Sequence, residues 1–174
     1  MKLVTVMVLG IAVSLGAVLP SEKATASAVT QTQVDEWTKH WQKRLDLSEW
    51  TITTLIVRVG DLRPETVGNL KWNSNEKTAV IKVLNPADYN LSPADVATDI
   101  EYTIVHELIH LELSVLPHDG TSKLTEERVV NRISEALFQL DKGGRYRPRT
   151  SLAKDFVKTA PAPADEASRA KAKP

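Results

Sequence analysis

The sequence predicts an α+β domain in which three helices pack on one face of a small antiparallel three-stranded sheet. The first observation is the order of hydrophobic patterns, because one helical segment precedes three short β-rich segments and two further helical segments. The second is length, since about 146 residues remain after a predicted leader, enough for one domain. The third is that the connections between the β-rich segments are short, which favours antiparallel pairing.

Residues 1–28 are predicted to be a signal peptide. Met1-Lys2 gives a positive start, residues 3–19 are almost entirely apolar, and residues 26–28 (Ala-Ser-Ala) have the pattern of a cleavage site. An uncleaved anchor is the alternative, but the apolar run is at the short limit for a membrane span and contains two glycines. We therefore expect a secreted or periplasmic protein that starts near Val29, with no membrane span in the mature chain.

The charge of the chain is balanced, with 22 basic and 22 acidic side chains, and it has no cysteine. Nucleic-acid binding would call for a basic stripe, so we expect none. Without disulfides, an exported domain must be held by its core and by metal. Residues 149–174 are rich in Ala, Pro and Lys and have little to bury, which predicts a disordered tail after a domain at 29–148. We expect a monomer.

The first helix is predicted over residues 31–45, where Val34, Trp37, Trp41 and Leu45 recur at spacings of three and four. Two tryptophans one turn apart could bind a carbohydrate or cell-wall ligand. Because both share a face with Val34 and Leu45, we expect them to cover the core instead.

Three strands are predicted at residues 50–59, 67–72 and 78–84. The first and third are dominated by β-branched residues, and Asn73-Ser74-Asn75-Glu76 forms the turn before the third. The short connections imply an antiparallel meander.

Two helices follow the strands. The first begins at Ser92-Pro93, an N-cap serine with proline at the first helical position, is bounded by Pro117, and is apolar nearly all round. The second is predicted over residues 125–140, with Gly143-Gly144 beyond its end. Its inward-facing residues are predicted to be Val130, Ile133, Leu137 and Leu140.

The apolar helix contains His106-Glu107-Leu108-Ile109-His110. At about 100° per residue the two histidines lie nearly in line one turn apart, with Glu107 beside them. A buried histidine is usually a core residue satisfied by a hydrogen bond. Burying two imidazoles and a carboxylate, however, is costly unless they are paired or bind a metal. The pattern H-E-x-x-H on a helix therefore predicts a zinc site with His106 and His110 as ligands.

A predicted strand precedes this motif, and a helix that begins with Thr125-Glu126-Glu127 follows it. In this arrangement, residues 50–140 resemble a compact gluzincin-type zincin. This is the metallopeptidase group of thermolysin-like enzymes and small phage-associated domains. The resemblance implies that Zn²⁺ is held by the two histidines and a downstream glutamate. Metzincins are excluded, because Leu113 and Leu116 stand where they need glycine and histidine.

The third ligand is expected from Glu126 or Glu127, although both could merely complement the positive end of the last helix. Glu126 falls under the predicted apolar stripe, where an acid would need a metal. Glu127 shares its side with Asn131, which could orient a ligand from one turn away. We prefer Glu127. His118 or Asp119 is a poorer choice, because Pro117 would have to reverse the chain sharply.

The expected chemistry is peptide hydrolysis. Zinc with three protein ligands keeps a position for water and lowers its pKa to about 7, and Glu107 would take the proton of that water and pass it to the leaving amine. Candidate donors to the oxyanion are His118, Tyr146 and Tyr102. Tyr102 lies one turn before His106 and is more suited to orienting that histidine than to donating to the oxyanion. Asp99, two turns before His106, is a second candidate for orienting it.

The zincin resemblance also implies that strand 78–84 is the edge on which an extended peptide or protein substrate binds. A second function remains open, namely a non-catalytic exported metal-binding or protein- or cell-wall-interaction domain. Glu107 discriminates between the two functions, because a purely structural zinc site has four protein ligands and no use for a carboxylate beside a water. Its presence favours the enzyme.

Overall fold

Helices and strands occur in the predicted order, and the α+β class is confirmed. The computed structural model describes residues 29–116, 122–144 and 157. The elements are α1 (Gln31–Arg44), β1 (Thr51–Val57), β2 (Gly68–Asn73), β3 (Thr78–Leu84), α2 (Pro93–Leu113) and α3 (Lys123–Asp141), with 3-10 turns at Val59–Asp61 and Pro86–Asp88. The predicted signal peptide, Pro117, His118, Asp119, Tyr146 and all of the predicted tail except Val157 lie outside the described residues.

The sheet is mixed, which corrects the predicted antiparallel meander. Its strand order is β1-β3-β2, with β3 parallel to β1 and antiparallel to β2. Only β2 and β3 form a hairpin. Residues 58–67 cross from β1 to β2, which are separated by the width of one strand, and β3 occupies the position between them. Short connections favour hairpins, but they do not reveal which strand occupies the centre.

One face of the sheet carries the helices. Ile81 and Val83 of β3 point to this face and are fully buried, as is most of the apolar surface of α2. From α1, Trp41 is fully buried, stacks on Phe138 of α3 at 5.9 Å between ring centroids, and so belongs to the core as predicted. Trp37 packs against the same core.

The inward face of α3 agrees with the prediction at Val130 and Leu137, which pack in or against the core, but not at Ile133 or Leu140. Val130, Ser134 and Phe138 are buried, whereas Ile133 is 36% and Leu140 76% exposed. The helix is rotated because the large Phe138 ring packs between Trp41 and Tyr102. The prediction considered only the aliphatic residues of the helix and did not include Phe138.

Val157 pairs with Tyr89 in an isolated antiparallel bridge and packs against the core. It lies in the segment predicted to be a tail, so the chain contacts the domain at this point. Among the described residues, no helix has the length and apolar character required to span a bilayer.

Candidate metal centre

Two histidines of α2 form one side of the site. The N-cap Ser92 accepts a hydrogen bond from the Asp95 amide and Pro93 occupies the first turn, so the helix begins as predicted. Four residues apart near its end, His106 and His110 lie with their rings edge to face at 4.9 Å between centroids. Their side chains are 18% and 15% exposed, so both can be reached from the surface.

Glu127 completes a group of three possible ligands. Its carboxylate lies 3.5 Å from Nε2 of His106 and 3.3 Å from Nε2 of His110. The two distances belong to different carboxylate oxygens, Oε2 and Oε1, and are the lengths of ordinary ion pairs, so they bring the three groups close enough to share one ion. The three ligand atoms all lie within 4.8 Å of one another. That they bind metal stays a prediction.

The rotation of α3 explains why Glu127 faces the histidines. Glu127 is one turn before Val130, and two and three turns before Ser134 and Phe138, which are the buried residues of the helix. Hydrogen bonding from His106 lowers the pKa of Glu127, the charge of His110 adds to this, and burial opposes it. The carboxylate is therefore ionised at neutral pH, as a metal ligand must be.

Glu126 has a different position. Its Oε1 atom lies 3.1 Å from Nδ1 of His110, the nitrogen that points away from Glu127. A carboxylate on this nitrogen fixes the ring with Nε2 towards a metal and makes it a stronger ligand. The two glutamates were expected to compete for one role, whereas each lies on a different nitrogen or histidine. An adjacent acidic pair opposite a histidine pair is the sequence signal for this arrangement.

Glu107 is almost fully buried, with 8% of its surface exposed. Burial raises its pKa to about 7, although the positive charges of His106 and Arg63 act in the opposite direction. A Cβ atom placed on Gly68 would lie 2.7 Å from Oε1 of Glu107 and would also collide with the methyl group of Thr103. The first residue of β2 is thus in close contact with the predicted general base.

Tyr102 contributes to the helix pair. Its hydroxyl donates to the backbone carbonyl of Asn131 at 3.4 Å, and its ring packs edge to face on Phe138. Burial raises its pKa to about 12, with smaller contributions from Glu135 and Asp99. Asn131 therefore contributes its backbone carbonyl, and not its side chain, to the contact in which Tyr102 holds α3 against α2. The other predicted oxyanion donors, His118 and Tyr146, lie outside the described residues.

The predicted substrate edge is wrong, because β3 is the central strand and is paired on both sides. Within the described part of the chain, β2 is an edge strand, and its Gly68 lies against Glu107 and Thr103 of α2. The expectation followed the order of elements in the chain, whereas an edge is defined by the order of strands in the sheet.

Two imidazoles and one carboxylate can bind a divalent cation and leave a position for water, and a buried carboxylate lies beside them. Comparison of the chain with protein-family models, with curated proteins and with solved structures finds no match.

Proposed function

We propose that the protein is an exported zinc-dependent metallopeptidase that hydrolyses peptide bonds. The observation that carries the proposal is the group His106, His110 and Glu127, next to the buried carboxylate of Glu107. A site that only stabilises the fold would be closed by a fourth protein ligand. Trp41 is buried in the core and is not accessible to a ligand, which argues against the alternative in which Trp37 and Trp41 bind a carbohydrate together.

Zinc is the ion that this ligand set fits best, because two imidazoles and one carboxylate are the ligands of known catalytic zinc sites. Bound zinc would supply an acidified water and would polarise the carbonyl to be attacked. The chain supplies the proton transfer. Glu107 accepts a proton on its carboxylate and donates it to the nitrogen that leaves when the peptide bond breaks.

The open edge of β2 supports a peptide as the substrate. Val67 accepts a hydrogen bond from the amide of Leu84 at 2.9 Å, and antiparallel pairs alternate between bonded and non-bonded residues. The backbone groups of Gly68, Leu70 and Trp72 therefore point away from β3. An extended peptide can pair with these groups as an additional strand. The peptide bond of the substrate that pairs with Gly68 would then lie beside Glu107.

Metal analysis and peptide digestion of the purified, processed protein test this proposal together. We expect about one zinc per chain and hydrolysis of a degenerate peptide library that stops when the metal is chelated and returns when zinc is restored. The variant His106→Ala should lose both zinc and hydrolysis. If the protein binds one zinc but cleaves no peptide, the non-catalytic metal-binding function replaces the peptidase.

A further inference from the structure

Glu101 of α2 is a buried carboxylate that the proposed chemistry does not use. Only 5% of its surface is exposed. Its Oε1 atom accepts hydrogen bonds from Nε1 of Trp41 at 3.1 Å and from Nζ of Lys142 at 2.7 Å. Burying a carboxylate is costly unless such donors pair with it. This single oxygen atom therefore joins α2 to α1 and to the C-cap residue of α3.

The two donors to Glu101 both contact the ring of Phe138. Trp41 stacks on this ring at 5.9 Å between centroids, and Nζ of Lys142 lies 5.2 Å from the ring centroid. Tyr102, the next residue of α2, packs edge to face on the same ring at 5.6 Å. Glu101 therefore orients two of these three groups around Phe138, the side chain whose packing sets the rotation of α3.

The rotation of α3 also determines where Glu127 points. The helices α2 and α3 run antiparallel, with the Glu101–Lys142 pair at one end of their contact and the two histidines facing Glu127 at the other. A side-chain tip lies about 5–6 Å from the helix axis, so a turn of about 20° moves it by about 2 Å. Metal ligands must keep their positions to within about 0.5 Å. A small turn of α3 is therefore enough to separate Glu127 from the histidines.

We propose that Glu101 is a positioning residue for the candidate metal centre. Through its two donors it fixes the surroundings of Phe138, and with them the rotation of α3 that brings Glu127 to the histidines. Glu101 acts through α3 and is not itself a ligand. The inference rests on the metal site of the proposed function and does not depend on peptide hydrolysis.

The zinc affinity of the purified protein tests this assignment. Lys142→Met breaks the pair with Glu101 but keeps an unbranched apolar side chain beside Phe138, and Glu101→Gln removes the charge of the other partner. We expect each variant to bind zinc about tenfold more weakly, the smallest loss typical of changes outside the ligands. Lys142→Arg keeps a cation that can donate to the carboxylate and should keep most of the affinity. Competition with a chromophoric chelator measures all four proteins under conditions in which each is folded.

Arg58→Met is the matched control. Arg58 also pairs with a buried carboxylate, that of Asp88 at 2.7 Å, but it lies on the connection after β1 and not on α3. Urea unfolding should show a loss of stability in both methionine variants, whereas only Lys142→Met should lose zinc affinity. Unchanged zinc affinity in Lys142→Met, or an equal loss in Arg58→Met, overturns the proposal. Glu101→Gln decides in the same way if Lys142→Met does not fold.

Structures of the metal-free variants separate this inference from the proposed function. If the unmodified protein binds no zinc, the proposed function fails, but the effect of Glu101 on Glu127 can still be measured. The distance from Nε2 of His110 to the Glu127 carboxylate, 3.3 Å in the unmodified protein, should lengthen by about 1 Å or more in Lys142→Met and stay the same in Arg58→Met. An unchanged distance in Lys142→Met overturns the assignment.

Discussion

A Cβ atom on Gly68 would lie 2.7 Å from Oε1 of Glu107, so the first residue of β2 leaves no room for any side chain. This contact joins an open strand edge to the carboxylate that we assign as general base. The same Cβ atom would collide even more closely with the methyl group of Thr103 on α2. We therefore expect Gly68→Ala to push β2 and α2 apart by several tenths of an ångström and to displace Glu107, which misaligns the water and the peptide.

The variant Gly68→Ala should therefore lose most of its peptide hydrolysis while keeping its zinc, and should be less stable by about 1–3 kcal/mol. Gly60→Ala is the matched control, because a Cβ there has no neighbour within 4 Å. Kinetics, metal content and urea unfolding of both variants make the comparison. Full activity in Gly68→Ala would show that the contact is not needed for catalysis.

The two glutamates of α3 should differ in their effect on zinc affinity. Glu127→Ala removes a predicted ligand and should weaken zinc binding by more than about 100-fold, whereas Glu126→Ala removes the carboxylate on Nδ1 of His110 and should cost about 10–100-fold. Competition with a chromophoric chelator measures both affinities. Equal losses, or a larger loss for Glu126→Ala, would exchange the two roles.

Glu107→Gln should keep zinc and fold but lower kcat by about 10²–10⁴-fold, because an amide cannot accept the proton of a water. The control is Glu112→Gln, an exposed glutamate near the end of α2, which should have no effect. Turnover and metal content are measured on the same preparation. A loss of zinc from Glu107→Gln would make Glu107 a ligand rather than a base.

Asp141 should make stability depend on acid pH. It joins the end of α3 to α1 through Arg44 at 2.7 Å and His40 at 3.2 Å. Burial works against its ionised form, but hydrogen bonding to His40 and the charges of Lys142 and Arg44 outweigh burial, so its pKa lies below the ordinary value of 3.8. A lowered pKa means that the folded state binds the proton less well than the unfolded state, so this stabilisation is present above pH 3.8 and is lost below it.

Asp141→Asn should therefore lower the free energy of unfolding by about 1 kcal/mol at pH 7, and the difference from the unmodified protein should vanish as the pH falls through the lowered pKa. Glu36→Gln, which changes an exposed acid of α1, serves as the control. Urea unfolding at a series of pH values gives the profile. A difference that is constant with pH would mean that the carboxylate charge is not the cause.

Local sequence patterns were sufficient to predict the positions of the site residues that lie on α2. The start of α2 at Ser92-Pro93 and the placement of His106 and His110 on one face follow from the spacing of residues along a helix, which distant parts of the chain do not alter. Glu127 groups with the two histidines, but its role as a ligand stays a prediction. Asn131, which was expected to orient it, accepts a hydrogen bond from Tyr102 through its backbone carbonyl.

By itself, the sequence determined the class of the fold and the helix that carries the two histidines and Glu107, because hydrophobic periodicity and capping act within each segment. Only the tertiary structure decided the central position of β3, the contact of Gly68 with Glu107, and the separate places of Glu126 and Glu127. These features depend on how distant segments pack. The ring of Phe138 packs against Trp41 and thereby sets the rotation of α3, and β3 lies between β1 and β2, which are not neighbours in the sheet.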